Sequence, residues 1–173
     1  MQSRPLRILL VEDVPEDALI VQTQLAEMTT PVDVTEAVSL ESAVRTLAKE
    51  GCGVDDANCG CRAYDLVLLD LHLPNGSGLA CIRRLRKVCS GLSLVVLTRR
   101  TDEHIEEYFS AGADDFLEKG GSTRQLEAVI YRAGRASIRK RTSKKKWQTI
   151  NQKLSVLERF TATLGSTEAK ASH

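Results

Sequence analysis

The chain has 173 residues, 42% of them hydrophobic and 27% charged, with a formal net charge of +1; that balance fits a folded globular chain and excludes a disordered or collagen-like one. No window approaches the ~18 consecutive apolar residues of a membrane span, and the apolar run from Leu6 to Val11 is too short for a secretory signal core, so a cytoplasmic location with no membrane contact is expected. The small net charge conceals an asymmetry, because residues 1–123 carry a net −8 and residues 124–173 a net +9, the mark of an acidic globule followed by a basic tail.

In chain order, the run Leu6 to Val11 predicts a buried strand, followed by a helix over Pro15 to Met28 in which Leu19, Ile20, Leu25 and Met28 recur at helical spacing. Val32 to Val38 alternates apolar and polar residues, as a less buried strand does. Ser39 can cap a second helix whose apolar stripe is Leu40, Ala43, Val44, Leu47 and Ala48. Residues 51–62 (GCGVDDANCGCR) show no period and predict a surface loop. Leu66 to Leu69 is a third strand, and Pro74-Asn75-Gly76 leads into a helix marked by Leu79, Ile82, Leu85 and Val88. Leu94 to Leu97 is a fourth strand, Ile105, Tyr108 and Phe109 mark a fourth helix ended by Gly112, and Phe116-Leu117 is a short fifth strand. Five alternations of strand and helix predict an α/β fold, a doubly wound five-stranded parallel sheet with right-handed crossovers.

In such a sheet, polar residues at the carboxyl ends of the strands gather in one crevice. Glu12 and Asp13 follow the first strand, Asp70 the third, Thr98 the fourth and Lys119 the fifth. One acidic residue at a strand end is ordinary loop polarity; five reactive groups at the same end of four strands form a set. Three carboxylates brought together repel one another, and a hard cation such as Mg²⁺ relieves that repulsion. A lysine and a hydroxyl beside the cation suit the oxygens of a phosphoryl group. Asp70, already ionised at neutral pH, can then serve as a nucleophile without a base.

The segments RILLVED, YDLVLLDLHLPNGSG, LVVLT and GADDFLEK, in this order, resemble the receiver domain of two-component response regulators over about residues 6–135. The resemblance implies a flavodoxin-like fold of receiver type and a phosphorylation switch. Asp70 would be phosphoacceptor and metal ligand, Glu12 and Asp13 the acidic pair at Mg²⁺, and the backbone carbonyl of His72 a further ligand. Thr98 and Lys119 would contact the phosphoryl group, and Phe116 would be the aromatic switch residue moving with Thr98. A histidine kinase or histidine phosphotransfer protein would be the donor, with the protein catalysing only its own phosphorylation and dephosphorylation. The chain departs from the family pattern at Arg99, where a small residue is common, and at Gly120, which stands in place of proline and removes the usual cis peptide. The loop 51–62 is also longer than a compact receiver needs.

Beyond the receiver core, expected over 1–123, a fifth helix is expected to run on through 124–164, with a disordered tail at 165–173. With Leu126 at position a, the heptad core reads Leu126, Val129, Ala133, Ala136, Lys140, Ser143, Trp147, Ile150, Leu154, Leu157, Thr161 and Leu164. The stretch holds no proline, and its one glycine is Gly134. A helix of ~60 Å that pairs as a homodimeric coiled coil is expected, polar in mid-seam at Lys140 and Ser143. The run Arg139 to Lys146 is expected to be a solvated face, with no room after it for a helix-turn-helix module. A constitutive interaction module, or nucleic-acid binding through the basic tail, remains the alternative. Five cysteines, three of them at 52, 59 and 61, are an odd number without a fourth zinc ligand nearby, and reduced thiols are expected.

Overall fold

A computed structural model of the chain describes residues 4–49, 63–74, 78–98 and 105–136. The chain divides into two compact units, Met1–Ile138 and Arg139–His173. The second lies outside the described residues, as do Arg99, the loop 51–62 and the heptad positions from Lys140 onward.

Five strands, β1 (Leu6–Val11), β2 (Val32–Ala37), β3 (Leu66–Asp70), β4 (Ser93–Thr98) and β5 (Asp115–Glu118), alternate with α1 (Pro15–Ala26), α2 (Leu40–Lys49), α3 (Gly78–Val88) and α4 (Ile105–Ala111). Residues 123–136 form a further helix, α5. The strands make one sheet in the order β2-β1-β3-β4-β5, and every neighbouring pair is parallel. This is the expected doubly wound α/β sheet of flavodoxin-like receiver type.

Both faces of the sheet are covered, which is why the central strands are apolar runs without alternation. Successive side chains of one strand enter opposite cores. Leu9, Val11, Val67, Leu69, Leu94 and Val96 pack with α2 and α3 residues such as Leu40, Leu47, Ile82 and Leu85. Ile8, Leu10, Leu66, Leu68, Val95 and Leu97 pack with Val21 and Leu25 of α1 and with Leu126, Val129, Ile130 and Ala133 of α5. Three of the heptad positions, Leu126, Val129 and Ala133, therefore face the chain's own sheet. A buried bond from Ser93 Oγ to the carbonyl of Ala133, 2.8 Å long, fastens α5 there.

The helix boundaries follow local chemistry. Pro15 opens α1, where its missing N–H costs nothing. Ser39 caps α2 as expected: the Ser42 N–H donates to Ser39 Oγ and the Ser39 N–H to Ser42 Oγ, both at 3.1 Å. Gly112, at φ +118°, ends α4 and donates to the carbonyls of Tyr108 and Phe109 at 3.1 and 3.0 Å. At the amino end of β3, buried Asp65 accepts hydrogen bonds from both Arg4 guanidinium NH₂ groups at 2.8 and 2.7 Å and from the Arg7 N–H at 2.9 Å. That clamp helps fix the register of β1 against β3, and nothing in the periodicity pointed to it.

The cysteines depart from expectation in part. Cys81 is a free, buried thiol, whereas Cys89, also buried, is disulfide-bonded. Bonding needs two Cβ atoms within about 4 Å, a tertiary condition that residue spacing does not reveal. Among the described residues no helix is long and apolar enough to cross a membrane.

Leu68 is fully buried, while Leu19 is 65% exposed. Leu68→Ala is expected to cost about 3 kcal/mol through lost burial and the cavity left behind, and Leu19→Ala less than about 0.5 kcal/mol. Urea denaturation of both variants measures the difference.

Candidate functional site

The sheet order reverses at β1: one crossover leads to β2 on one side, the next to β3 on the other. Strands that diverge in this way leave a crevice at their carboxyl ends. Glu12 and Asp13 leave β1 at that crevice, and Asp70 is the last residue of β3 beside it. In the β3–β4 register Asp70 lies opposite Leu97, which places Thr98 one residue further along β4. Thr98 pairs in turn with Glu118, so Lys119 leaves β5 at the same level. The backbone N–H of Lys119 donates to the Thr98 carbonyl at 2.6 Å, holding the two strand ends together.

The sheet thus brings together the expected residues. Carboxylate oxygens of Glu12, Asp13 and Asp70 all lie within 4.8 Å of one another. Glu12, Asp70 and Thr98 are buried. The ammonium of Lys119, itself only 8% exposed, reaches Glu12 Oε2 at 2.5 Å, Asp70 Oδ2 at 2.9 Å and Asp17 Oδ2 at 3.0 Å. Asp70 Oδ1 accepts the backbone N–H of His72 at 3.1 Å, and Glu12 Oε1 that of Val14 at 3.2 Å. The His72 side chain stands largely in solvent, with Nδ1 3.6 Å from Asp70 Oδ1.

The electrostatics follow from crowding. Burial pushes the Glu12 carboxyl above its usual range and the nearby Asp70 charge adds to this, against the pull of Lys119. Burial on its own would lower the Lys119 ammonium, but the three carboxylates outweigh it and hold the group above its ordinary value. One ammonium cannot satisfy all these oxygens. Among the described residues Asp13 Oδ1 is buried without a hydrogen-bond partner, and Glu12 Oε2 meets Lys119 as an ion pair at 2.5 Å. Orphaned carboxylate oxygens gathered in a crevice fit a hard cation taking oxygen ligands.

Phe116 is partly buried against the α2–α3 core. Its ring meets that of Phe109, 44% exposed on α4, edge to face with centroids 6.2 Å apart. Gly120, at φ +78°, has open space where a Cβ would stand. Beside it an open hollow of about 300 Å³ is lined by Asp17, Ile20, Val21, Lys119 and Gly120. Sequence reasoning missed Asp17. The available signal was its place four residues after Asp13, in the first turn of the helix that follows β1.

A family model, the response regulator receiver domain, matches residues 8–131. The chain belongs to that family. It is 34% identical over 128 residues to the aerobic respiration control sensor protein ArcB of Escherichia coli K12, a match covering 72% of the chain and 15% of that protein. It is 27% identical over 116 residues to two-component response regulator 24 of Arabidopsis thaliana, covering 66% of the chain and 81% of the relative. Among solved structures, the phosphorylated cyanobacterial phytochrome response regulator RcpA is 27% identical with a TM-score of 0.56, covering 73% of the chain and 89% of RcpA. The receiver thus corresponds to a small part of ArcB and most of the plant regulator, and it is a module of two-component signalling.

The buried carboxylates predict a stability effect without any cation. Asp13→Asn replaces a carboxylate in this acidic cluster by an amide able to donate to its acidic neighbours, so it is expected to stabilise the fold by about 1–2 kcal/mol. Urea denaturation in the presence of a chelator measures this; an unchanged or lowered stability would show that the repulsion is already relieved in the cation-free protein.

Proposed function

We propose that this receiver is a phosphorylation-dependent switch in which Asp70 accepts a phosphoryl group from a histidine kinase or a histidine phosphotransfer protein. The observation that carries the reading is Asp70 itself, buried at the end of β3 with Oδ2 on the Lys119 ammonium and its carboxylate in the cluster with Glu12 and Asp13. Two-component relatives, one a sensor protein and one a solved structure named as phosphorylated, support it.

In this reading a carboxylate oxygen of Asp70 attacks phosphorus, the P–N bond of the phosphohistidine breaks, and its electron pair returns to the imidazole, which takes a proton from water. The product is an acyl phosphate. Glu12, Asp13, Asp70 and the His72 carbonyl would hold Mg²⁺, whose charge would offset that of the phosphoryl oxygens. Lys119 moves one of its N–H groups from Asp70 Oδ2 to a phosphoryl oxygen, and the Thr98 hydroxyl turns toward another. That movement of Thr98 opens space into which Phe116 rotates, altering the α4–β5 surface that Phe109 and Phe116 share. Catalysis is confined to the protein's own phosphorylation and dephosphorylation.

The output is proposed to run through the C-terminal helix, with a homodimeric coiled coil over 124–164 beyond the positions that α5 uses against the sheet. The run Arg139 to Lys146 is taken as a solvated face, and the protein as cytoplasmic.

Incubation with a small acyl phosphate and Mg²⁺ is expected to add one phosphoryl group by intact mass. Asp70→Asn, or omission of Mg²⁺, is expected to abolish the adduct. A wild-type protein that stays unmodified with several donors would overturn the switch.

A further inference from the structure

Lys119 has three N–H donors and meets three carboxylates, but these differ in kind. Glu12 and Asp70 belong to the cluster able to hold a cation. Asp17 lies outside that cluster and comes from the first turn of α1. Its contact with Lys119 is no loose surface pair, since the two side chains are only 15% and 8% exposed.

The same helix holds the chain after Lys119 at a second point. Gln24 Nε2 of α1 donates to the Gly121 carbonyl at 2.7 Å. Just beyond α1, Glu27 accepts a hydrogen bond from the Thr123 hydroxyl at 3.1 Å. α1 and the β5–α5 connection are thus joined along their length, and the ammonium sits where that seam meets the acidic crevice.

From this placement we propose that Asp17 is a positioning residue, drawing the Lys119 ammonium toward α1 and so limiting its competition with a divalent cation for Glu12 and Asp70. A cation and an ammonium seek the same oxygens. Whatever share of the ammonium's charge Asp17 takes up is charge that Glu12 and Asp70 can offer to the cation instead. When phosphate arrives and Asp70 Oδ2 is no longer a partner, Asp17 keeps Lys119 at the mouth of the crevice beside the hollow. This deepens the proposed function and rests on its cation site, not on the phosphoryl transfer.

Calorimetric titration of Mg²⁺ into the unphosphorylated protein tests it through a double-mutant cycle. Asp17→Asn is expected to weaken Mg²⁺ about tenfold, the scale on which an ammonium freed from one carboxylate competes more strongly for the cation's oxygens in a partly screened site. Asp17→Glu is expected to restore most of the affinity. Glu16→Gln removes the same charge from an exposed neighbour and is expected to change affinity less than about twofold. In a Lys119→Met background, Asp17→Asn is expected to fall to less than about twofold. An effect of Asp17→Asn equal in the two backgrounds would mean direct attraction of the cation, not positioning of Lys119, and would overturn this proposal while leaving the cation site standing. No Mg²⁺ binding by the wild-type protein would overturn the cation site, and this proposal with it.

Discussion

Parallel strands cannot be joined by tight turns, so each must be followed by a helix that crosses back over the sheet. In this chain the first crossover runs from β1 to β2 at the edge, and the second returns from β2 past β1 to β3 in the middle. Everything else of functional interest depends on that reversal. It opens the crevice, sets Glu12 and Asp13 opposite Asp70, and lets α1 and α5 share one face of the sheet while α2 and α3 cover the other. The burial of both faces gives the arrangement its rigidity: Ile8, Leu9, Leu10, Leu66, Leu68 and Leu69 are fully buried, and close-packed interiors do not deform continuously.

A rigid frame permits a crevice that is electrostatically unfavourable by itself. Glu12, Asp70 and Asp17 share one ammonium, and Asp13 lies in the cluster beside them. Packing and backbone bonds, such as that from Lys119 N–H to the Thr98 carbonyl, hold them in place despite their repulsion. A site that pays for its charge density with the stability of the surrounding sheet is poised for ligands that change its charge. In the proposed switch a cation would add positive charge, a phosphoryl group would add negative charge, and Lys119 would exchange partners between them. Thr98 ends β4, and Phe116, two residues back from that level on β5, carries the ring that meets Phe109 of α4.

The C-terminal helix shows how one apolar stripe can have two readings. A heptad started at Leu126 is sound as a pattern, but Leu126, Val129 and Ala133 are buried beside Ile8, Leu10 and Leu97. Amphipathic periodicity shows that a helix buries one face and leaves the covering partner unnamed. The cysteines teach the same lesson, with Cys81 free and Cys89 bonded within one chain. The fully buried Asp65, clamped by Arg4, could equally have been a solvated loop residue on sequence grounds.

The sequence by itself determined the order and type of the elements, because burial on two faces writes strands as apolar runs and burial on one face writes helices as stripes. It also determined Glu12, Asp13, Asp70, Thr98 and Lys119 as a set, because they stand at the same end of four strands, and parallel topology brings such ends together. Only the tertiary structure decided that Asp17 joins them, that Asp13 Oδ1 has no hydrogen-bond partner among the described residues, and that α5 gives its first apolar positions to the sheet. Those facts depend on distances between residues far apart in the chain. Lys119 and Asp17 are separated by 102 positions, and no local period records that they meet.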